Sequence, residues 1–240
     1  PADKGKKEVY IMQHIQIAID GPSGAGKSTI SKAIAARLGI VYVDTGALYR
    51  TVGYYARSQG ISLPAIAAVV DKLSDIHVEV RYVDGVQNVF LNGEDLGDRI
   101  RENEISLYAS AVGALPPVRA FLLDTQQRIA RENSGVIGGR DIGTVILPDA
   151  QVKIFLTASN EARARRRVAE LAEKGMPVDY ETVLADMYKR DEEDRTRAVA
   201  PAVAAPDAIR FDNSGLTFEE SVEAILNLIR ETLAGKGLSL

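Results

Sequence analysis

The segment GPSGAGKS, residues 21–28, is the feature that most constrains the fold of this chain. It fits the P-loop pattern G-x-x-x-x-G-K-[ST], in which glycines let the backbone approach phosphate oxygens while backbone amides point at the anion. The loop needs a strand before it and a helix after it, because the helix N-terminus adds positive potential at the phosphates. The apolar run at residues 15–19 predicts that strand, and residues 27–38 have the pattern of the helix.

The loop predicts a site for a nucleoside triphosphate and Mg²⁺. Lys27 would reach the β- and γ-phosphates, and the Ser28 hydroxyl would be the loop's ligand to the metal. The loop residues predicted to bind the nucleotide are Gly21, Pro22, Ser23, Gly24, Ala25, Gly26, Lys27, Ser28 and Thr29. A glycine-rich turn without a ligand is the alternative, and the flanking strand and helix patterns argue against it.

Short apolar runs and helical stretches alternate along the rest of the chain. This alternation predicts βαβ units and therefore an α/β fold with a parallel sheet flanked by helices. Further strands are predicted at residues 40–43, 136–137, 152–156 and 208–211, and helices at residues 45–57 and 218–233.

Two stretches interrupt the alternation. Residues 77–96 contain the dipeptides DG and NG, which are strong hairpin signals, so this stretch predicts a small antiparallel insert. Residues 160–197 are charged and helical, with a break at residues 175–177.

Composition excludes several kinds of site. The chain has no cysteine, which removes disulfides, thiolate metal sites and cysteine nucleophiles. Its histidines are His14 and His77, and both are predicted to be structural. The net charge of −4 argues against nonspecific nucleic-acid binding. Apolar runs stay well below the roughly 18 residues of a membrane span, so we expect no membrane partner and a cytoplasmic location.

The loop alone does not name a reaction. GTP switch proteins carry a guanine-reading segment, Asn/Thr-Lys-x-Asp, and large ATPase motors carry a strand that ends in paired acids; neither pattern is evident in the sequence. A small kinase is the class that remains favoured.

Two segments after predicted strands could bind a phosphate acceptor. In DTGALYR, residues 44–50, Thr45 is the predicted N-cap of a helix, and Tyr49 and Arg50 follow on its first turns. In GRD, Arg140 could offer a guanidinium fork to a phosphate and Asp141 an acceptor to an amino group. Both segments lie where open α/β sheets bind ligands. The alternatives are a capped surface helix and an ion pair within a turn.

A basic segment lies near the end of the chain. Arginines occur at positions 163, 165, 166, 167, 190, 195 and 197. They are predicted to form a closing lid that stabilises charge on a transferring phosphoryl group. Arg166 and Arg167 are assigned to the triphosphate and Arg190 to the transferring group. The alternative is a solvated helix face, because acids are interspersed among the arginines.

Five motifs in order resemble the bacterial cytidylate kinase family: GPSGAGKST, DTGALYR, GRDIGTVILPDA, VKIFLTAS and KRDEEDRTRAVAP. The resemblance runs from about residue 15 to the C-terminal helix. It implies a P-loop NTPase fold and transfer of the ATP γ-phosphate to CMP or dCMP. It also implies a single kinase domain at 14–240, with a core (14–44, 132–159 and 206–240), a monophosphate-binding lobe (about 45–131) and a helical lid (about 160–200). Residues 1–13 are expected to be a flexible tail.

The resemblance also implies roles for individual residues. Catalytic roles fall to Lys27, Arg140, Arg166 and Arg190. Contacts with the acceptor nucleotide fall to Thr45, Tyr49, Arg50, Ser110, Arg119, Arg140, Asp141, Arg190, Asp194 and Arg197. Within that set Ser110, Arg119 and Asp141 would read cytosine, which predicts a preference for CMP and dCMP over UMP.

One position departs from the family pattern. The family usually has an acid immediately before Gly-Arg-Asp, and here that residue is Gly138. The departure predicts weaker Mg²⁺ binding and leaves Ser28 as the metal ligand. We expect a monomer with small-molecule partners only. A kinase for another small acceptor and an ATP-binding regulator without activity remain the alternatives.

Overall fold

The computed structural model describes residues 14–83, 85–173, 175–196 and 198–240. Within these residues, five parallel strands form a central sheet with the order β2-β6-β1-β7-β8, and three antiparallel strands form a second sheet, β3-β4-β5. The strands are β1 (Gln16–Asp20), β2 (Val41–Asp44), β3 (Val78–Val83), β4 (Val86–Leu91), β5 (Glu94–Asp95), β6 (Gly135–Gly138), β7 (Val152–Thr157) and β8 (Ile209–Asp212).

Helices connect and cover these strands. The α-helices are α1 (Lys27–Leu38), α2 (Thr45–Ser58), α3 (Asn103–Gly113), α4 (Pro116–Glu132), α5 (Asn160–Glu173), α6 (Tyr180–Thr196) and α7 (Phe218–Gly235). Two 3₁₀ segments, Leu63–Asp75 and Gly97–Arg101, and a π-helical turn, Ile142–Ile146, complete the described elements.

The central strand β1 is buried along almost its whole length. It pairs in parallel with β6 on one side and β7 on the other, so that Ile17 lies between Val136 and Val152. Helices α1 and α7 pack their apolar residues against this part of the sheet. Because the strands are parallel, the carboxyl ends of β1, β2 and β6 meet at one edge, where the loops that follow them come together.

A separate apolar cluster holds the lobe formed by α2, α3, α4 and the antiparallel sheet. Its centre includes Leu48, Val89, Ile105 and Leu122, all of them buried. The helices α5 and α6 pack against each other as a third unit. Residues of the lobe and of α5 line cavities at the edge where the strands end, together with residues that follow β1 and β6.

The predicted fold class is confirmed, since a parallel sheet flanked by helices carries an antiparallel insert and a helical pair. Helix α1 has the predicted bounds, and each predicted core strand is present within one or two residues. The break predicted at residues 175–177 separates α5 from α6. The predicted tail at residues 1–13 and Asp84 of the first hairpin signal lie outside the described residues.

The prediction that Thr45 caps helix α2 is wrong. Asp44 occupies the cap position in an extended conformation, and its carboxylate accepts a hydrogen bond from the Ala47 amide at 3.2 Å. Thr45 is already helical, and its buried hydroxyl donates to the Gly138 carbonyl at 2.9 Å. Both residue types cap helices well, and here the strand β2 ends one residue earlier than a threonine cap would require.

In the described part of the chain, no single helix is long and apolar enough to cross a membrane. The helices α3 and α4 meet such a requirement only when joined, and a bend of 97° separates them.

Gly53 on α2 sets the separation between α2 and α3. A β-carbon added at Gly53 would lie 2.9 Å from the Ala109 backbone nitrogen and 3.0 Å from the Tyr108 β-carbon, too close for a side chain. We therefore expect Gly53→Val to lower the free energy of unfolding by about 2 kcal/mol, the middle of the range for overpacked cores. Urea denaturation measures this loss. The control is Gly235→Val at the end of α7, where an added β-carbon meets nothing within 4 Å; equal stability of the two variants would contradict the prediction.

Candidate active site

The loop between β1 and α1 has the backbone of a phosphate cradle. Gly21 has φ 148°, and a β-carbon there would lie 1.9 Å from the Leu156 carbonyl oxygen, so only glycine fits. Gly24 and Gly26 also have positive φ, and Gly26 immediately precedes the first helical residue, Lys27. A loop of this conformation before a helix N-terminus can direct the amides of the loop and of the first turn of α1 at one anion.

Lys27 and Ser28 stand at the mouth of this loop. The Lys27 ammonium donates to the Pro22 carbonyl at 2.6 Å, which folds the side chain back over the loop. The exposed Ser28 hydroxyl interacts with the phenol of Tyr42, whose pKa is raised because the ring is buried. Gly21 and Ala25 are buried beneath them and shape the loop from behind.

A first cavity, the Arg119 cavity, lies between this loop and the lobe and has a volume of 340 Å³. Its lining combines cations, carboxylates and hydroxyl groups over a small area. It is lined by Ser23, Lys27, Ser28, Asp44, Thr45, Gly46, Tyr49, Arg50, Ser106, Ala109, Ser110, Gly113, Arg119, Gly138, Gly139, Arg140 and Asp141. Seven residues predicted for the acceptor thus share one cavity.

A second cavity, the Arg166 cavity, lies on the other side of the loop and has a volume of 480 Å³. It is lined by Ser23, Gly24, Gly26, Lys27, Ser28, Thr29, Ile30, Arg140, Arg163, Arg166, Arg167, Glu170, Asn213, Leu216, Phe218 and Ser221. Ser23, Lys27, Ser28 and Arg140 line both cavities. Two ligands, one in each cavity, would therefore meet at these four residues.

Asp141 and Arg119 form an ion pair inside the Arg119 cavity. Both side chains are largely buried, and the Arg119 guanidinium donates to the Asp141 carboxylate and, at 3.2 Å, to the Gly113 carbonyl. The guanidinium carbon also lies 5.5 Å from the centre of the Tyr49 ring. These contacts hold both side chains in fixed orientations within the cavity.

The start of α2 brings a second cation to the same cavity. Arg50 donates to the Asp44 carboxylate at 2.7 Å, and the same carboxylate caps the helix. Arg50 is thereby held against the first turn of α2 with its guanidinium in the cavity lining.

Arg140 joins the helical pair to both cavities. It forms an ion pair with Asp194 of α6, whose side chain is buried. Asp194 does not itself line either cavity, in contrast to the other described residues that were predicted to bind the acceptor. Arg197 lies outside the described residues, as does the side chain of Arg190 on α6, so their placement stays a prediction.

Arg166 and Arg167 reach the Arg166 cavity from α5. Arg166 donates to the side-chain oxygen of Asn213 at 3.1 Å and to its backbone carbonyl at 2.7 Å. The Asn213 amide in turn donates to the Ala25 carbonyl at 3.2 Å. Arg167 pairs with Glu170 one turn later on the helix. The sequence did not single out Asn213, although its place directly after β8 could have suggested a role at the sheet edge.

Arg163, which the sequence grouped with the lid arginines, supports the loop from inside. It is 2% exposed and donates to the Ser23 carbonyl at 2.7 Å and to the Ala158 carbonyl at 3.0 Å. It also forms an ion pair with Asp191 of α6. A buried arginine with three such partners holds the loop to the helical pair, and the charge pattern of the segment gave no sign of its burial.

Asp20, the residue before the loop, was also missed. Its carboxylate is 4% exposed and accepts hydrogen bonds from the amides of Ile142 at 2.8 Å and Gly143 at 2.7 Å. Burial raises its pKa from 3.8 to about 6, and the two amides oppose this shift. Asp20 thus ties the end of β1 to the turn that follows Arg140 and Asp141. An acid at the end of a buried strand is the signal that could have revealed it.

The sequence also matches proteins of a known family. A family model described as cytidylate kinase matches residues 17–231. This chain belongs to the cytidylate kinase family. A cytidylate kinase of Fervidobacterium nodosum is 50% identical over 91% of this chain and 97% of its own length. Those of Caldicellulosiruptor bescii and a Geobacillus species are 47% and 43% identical, over 90% and 92% of this chain and 96% and 98% of their own lengths.

The raised pKa of Asp20 predicts a pH-dependent stability. Between pH 4 and pH 6 the folded chain keeps a proton on Asp20 that the unfolded chain has lost, so the free energy of unfolding falls as pH rises through this window. The difference between the ordinary pKa and the raised one corresponds to a loss of roughly 3 kcal/mol in the free energy of unfolding. Relative to Asp20→Asn, the wild-type protein should lose stability by up to that amount between pH 4 and pH 6.5, measured by urea denaturation.

Asp149→Asn is the control, because Asp149 is exposed in a turn. Its stability should follow the wild-type profile across the same pH range. A constant difference between wild type and Asp20→Asn would contradict the prediction.

Proposed function

We propose that this protein transfers the γ-phosphoryl group of ATP to CMP or dCMP, giving ADP and CDP or dCDP. The observation that supports this most strongly is the meeting of two cavities at Lys27, Ser28 and Arg140 in a chain of the cytidylate kinase family. A donor phosphate held by the loop and an acceptor phosphate in the Arg119 cavity would be neighbours there, as direct transfer requires.

ATP would occupy the Arg166 cavity. Its phosphates would lie on the amides of residues 21–29 with Lys27, Arg166 and Arg167 as counter-charges, and Leu216 and Phe218 offer apolar surface for the base. Phe218 is 44% exposed, and stacking on a base would remove part of this apolar surface from water.

Mg²⁺ would be held mainly by Ser28 and by the ATP phosphates. Ser28 fits this role, because its hydroxyl is exposed at the junction of the cavities. The described residues contain no group of three or more acids and histidines that could hold a metal, and both Asp20 oxygens are occupied by backbone amides. When bound, the ion would neutralise phosphate charge.

CMP would occupy the Arg119 cavity. Arg50 and Arg140 would bind its phosphate. Asp141 would accept from the cytosine amino group while Arg119 and Ser110 would donate to ring acceptors. UMP has a carbonyl in place of that amino group and would face the Asp141 carboxylate with no proton between them. The cavity therefore favours cytosine over uracil.

The transfer needs no general base, because a monophosphate is largely ionised above its second pKa of about 6. Catalysis would rest on alignment and on charge neutralisation by Lys27, Arg140, Arg166 and Arg190. Residues 45–131 would act as the acceptor lobe and residues 160–200 as the lid, whose closure excludes water from ATP.

A coupled assay of ADP release tests this function across AMP, GMP, UMP, CMP and dCMP. We expect turnover with CMP and dCMP, and a kcat/KM for UMP at least tenfold lower. Asp141→Asn supplies an amide donor in place of a carboxylate oxygen. The ratio of kcat/KM for CMP to kcat/KM for UMP should therefore fall by about tenfold. Lys27→Ala, which should lower kcat, controls for contaminating kinases.

The outcomes separate the alternatives. Preference for a different acceptor would identify a kinase of another specificity, and tight ATP binding without acceptor-dependent ADP would support a regulator. Equal kcat/KM for UMP and CMP would contradict the role of Asp141.

Gly138 gives a prediction about Mg²⁺. A β-carbon at Gly138 would lie 3.5 Å from the Tyr42 ring and 3.6 Å from the Ser31 hydroxyl, which are ordinary contacts, so Gly138→Asp should fold. The new carboxylate would stand near Tyr42, which contacts Ser28, and should lower the Mg²⁺ concentration for half-maximal turnover by several-fold.

Gly138→Asn serves as the neutral control of similar size, and Mn²⁺ binding to the protein with a non-hydrolysable ATP analogue gives a second readout. If the Mg²⁺ concentration for half-maximal turnover of Gly138→Asp is unchanged or higher, the missing acid does not limit metal binding.

A further inference from the structure

Gln87 is a polar residue on the apolar face of strand β4. Side chains alternate along a strand, so Gln87 shares a face with Val89 and Leu91, which are both buried in the core of the lobe. Opposite it on β3 stands Tyr82, which packs against the apolar cluster beneath the central sheet. Gln87 therefore lies at the end of β4 that contacts the central sheet.

The side-chain amide of Gln87 bonds to the backbone of one residue, Asp44. Its oxygen accepts from the Asp44 amide at 2.8 Å, and its nitrogen donates to the Asp44 carbonyl at 3.1 Å. Strand β2 is an edge strand of the central sheet, and such edges present unpaired backbone groups. The paired bonds let one side-chain amide act as a neighbouring strand would.

Asp44 connects strand β2, helix α2 and Arg50 at the Arg119 cavity. It ends β2, caps α2 and pairs with Arg50. Gln87 itself does not line the Arg119 cavity, whereas Asp44, to which its side chain is hydrogen-bonded, does.

We propose that Gln87 is a positioning residue for the acceptor nucleotide: its paired hydrogen bonds to the Asp44 backbone fix the start of α2 and hence Arg50 in the Arg119 cavity. The antiparallel sheet thereby has a function at the site, because its strand β4 carries the residue that locks the edge of β2. This inference rests on the proposed function, in which the Arg119 cavity binds CMP.

The inference predicts a selective loss. Gln87→Met keeps the length of the side chain and removes both hydrogen bonds, so the first turn of α2 gains freedom that CMP must then remove on binding. We expect the dissociation constant for CMP to rise about tenfold, corresponding to two hydrogen bonds of modest net strength. The KM for ATP should change by less than twofold, because no residue of α2 lines the Arg166 cavity.

Asn88→Leu is the matched control. Asn88 is the next residue on β4 and points to the opposite face. Its side-chain amide donates to the Val86 carbonyl at 3.5 Å, which is a long and weak hydrogen bond. Calorimetry measures CMP binding, steady-state kinetics the KM for ATP, and thermal unfolding the stability of each variant. Gln87→Glu is a second test: its carboxylate can accept from the Asp44 amide but would face the Asp44 carbonyl without a proton between the two oxygens, so CMP affinity should also fall.

The results separate two failures. If wild type phosphorylates CMP and Gln87→Met binds CMP as tightly as Asn88→Leu does, the inference is wrong and the proposed function stands. An equal loss for CMP and ATP would also overturn it, because it would indicate general destabilisation. If wild type neither binds nor phosphorylates CMP, the proposed function fails and the inference fails with it. A tenfold loss confined to CMP supports it.

Discussion

Asp20 ends the central strand of the sheet, and its buried carboxylate accepts hydrogen bonds from the amides of Ile142 and Gly143. Burying a carboxylate is unfavourable unless hydrogen bonds compensate it, and the raised pKa shows that here compensation is incomplete. The bonds fix the turn after β6 against the start of the phosphate loop. Arg140 and Asp141 stand just before the held amides, so the geometry of both cavities depends on this contact.

Three arginines that line the Arg119 cavity are each paired with an acid. Arg50 pairs with Asp44, Arg119 with Asp141 and Arg140 with Asp194. Such pairs contribute little net stability after desolvation, but they hold each guanidinium in one orientation. A phosphate that enters the Arg119 cavity therefore meets donors that need little rearrangement, which is the electrostatic preorganisation that phosphoryl transfer uses.

Much of the fold could be predicted from the sequence because the P-loop requires a strand, a turn and a helix in fixed order. The bounds of α1 followed from this requirement, and the alternation of apolar runs with helices gave the parallel sheet. The cap of α2 was misassigned because Asp44 and Thr45 are both good caps and their order is decided by where β2 ends. Local sequence does not contain that information.

The site was harder to predict where contacts join distant segments. Asp20 and Gly143, or Arg163 and Ser23, are more than 100 positions apart, and their pairing follows from topology rather than from any local pattern. Gln87 looked like an ordinary residue of a hairpin, since only the register between β4 and the edge of β2 gives its amide a partner. Most cavity residues that belong to recognisable motifs were predicted. The residues that hold them in place through contacts with distant segments were not.

The shared lining of the two cavities has a consequence for ligand design. Ser23, Lys27, Ser28 and Arg140 border both volumes, so ligands in the two cavities would touch the same four residues. A single molecule carrying two nucleosides joined by a polyphosphate chain could occupy both volumes at once. The second nucleoside would then bind at the effective concentration set by the polyphosphate linker. The linked molecule would bind far more tightly than either nucleotide alone.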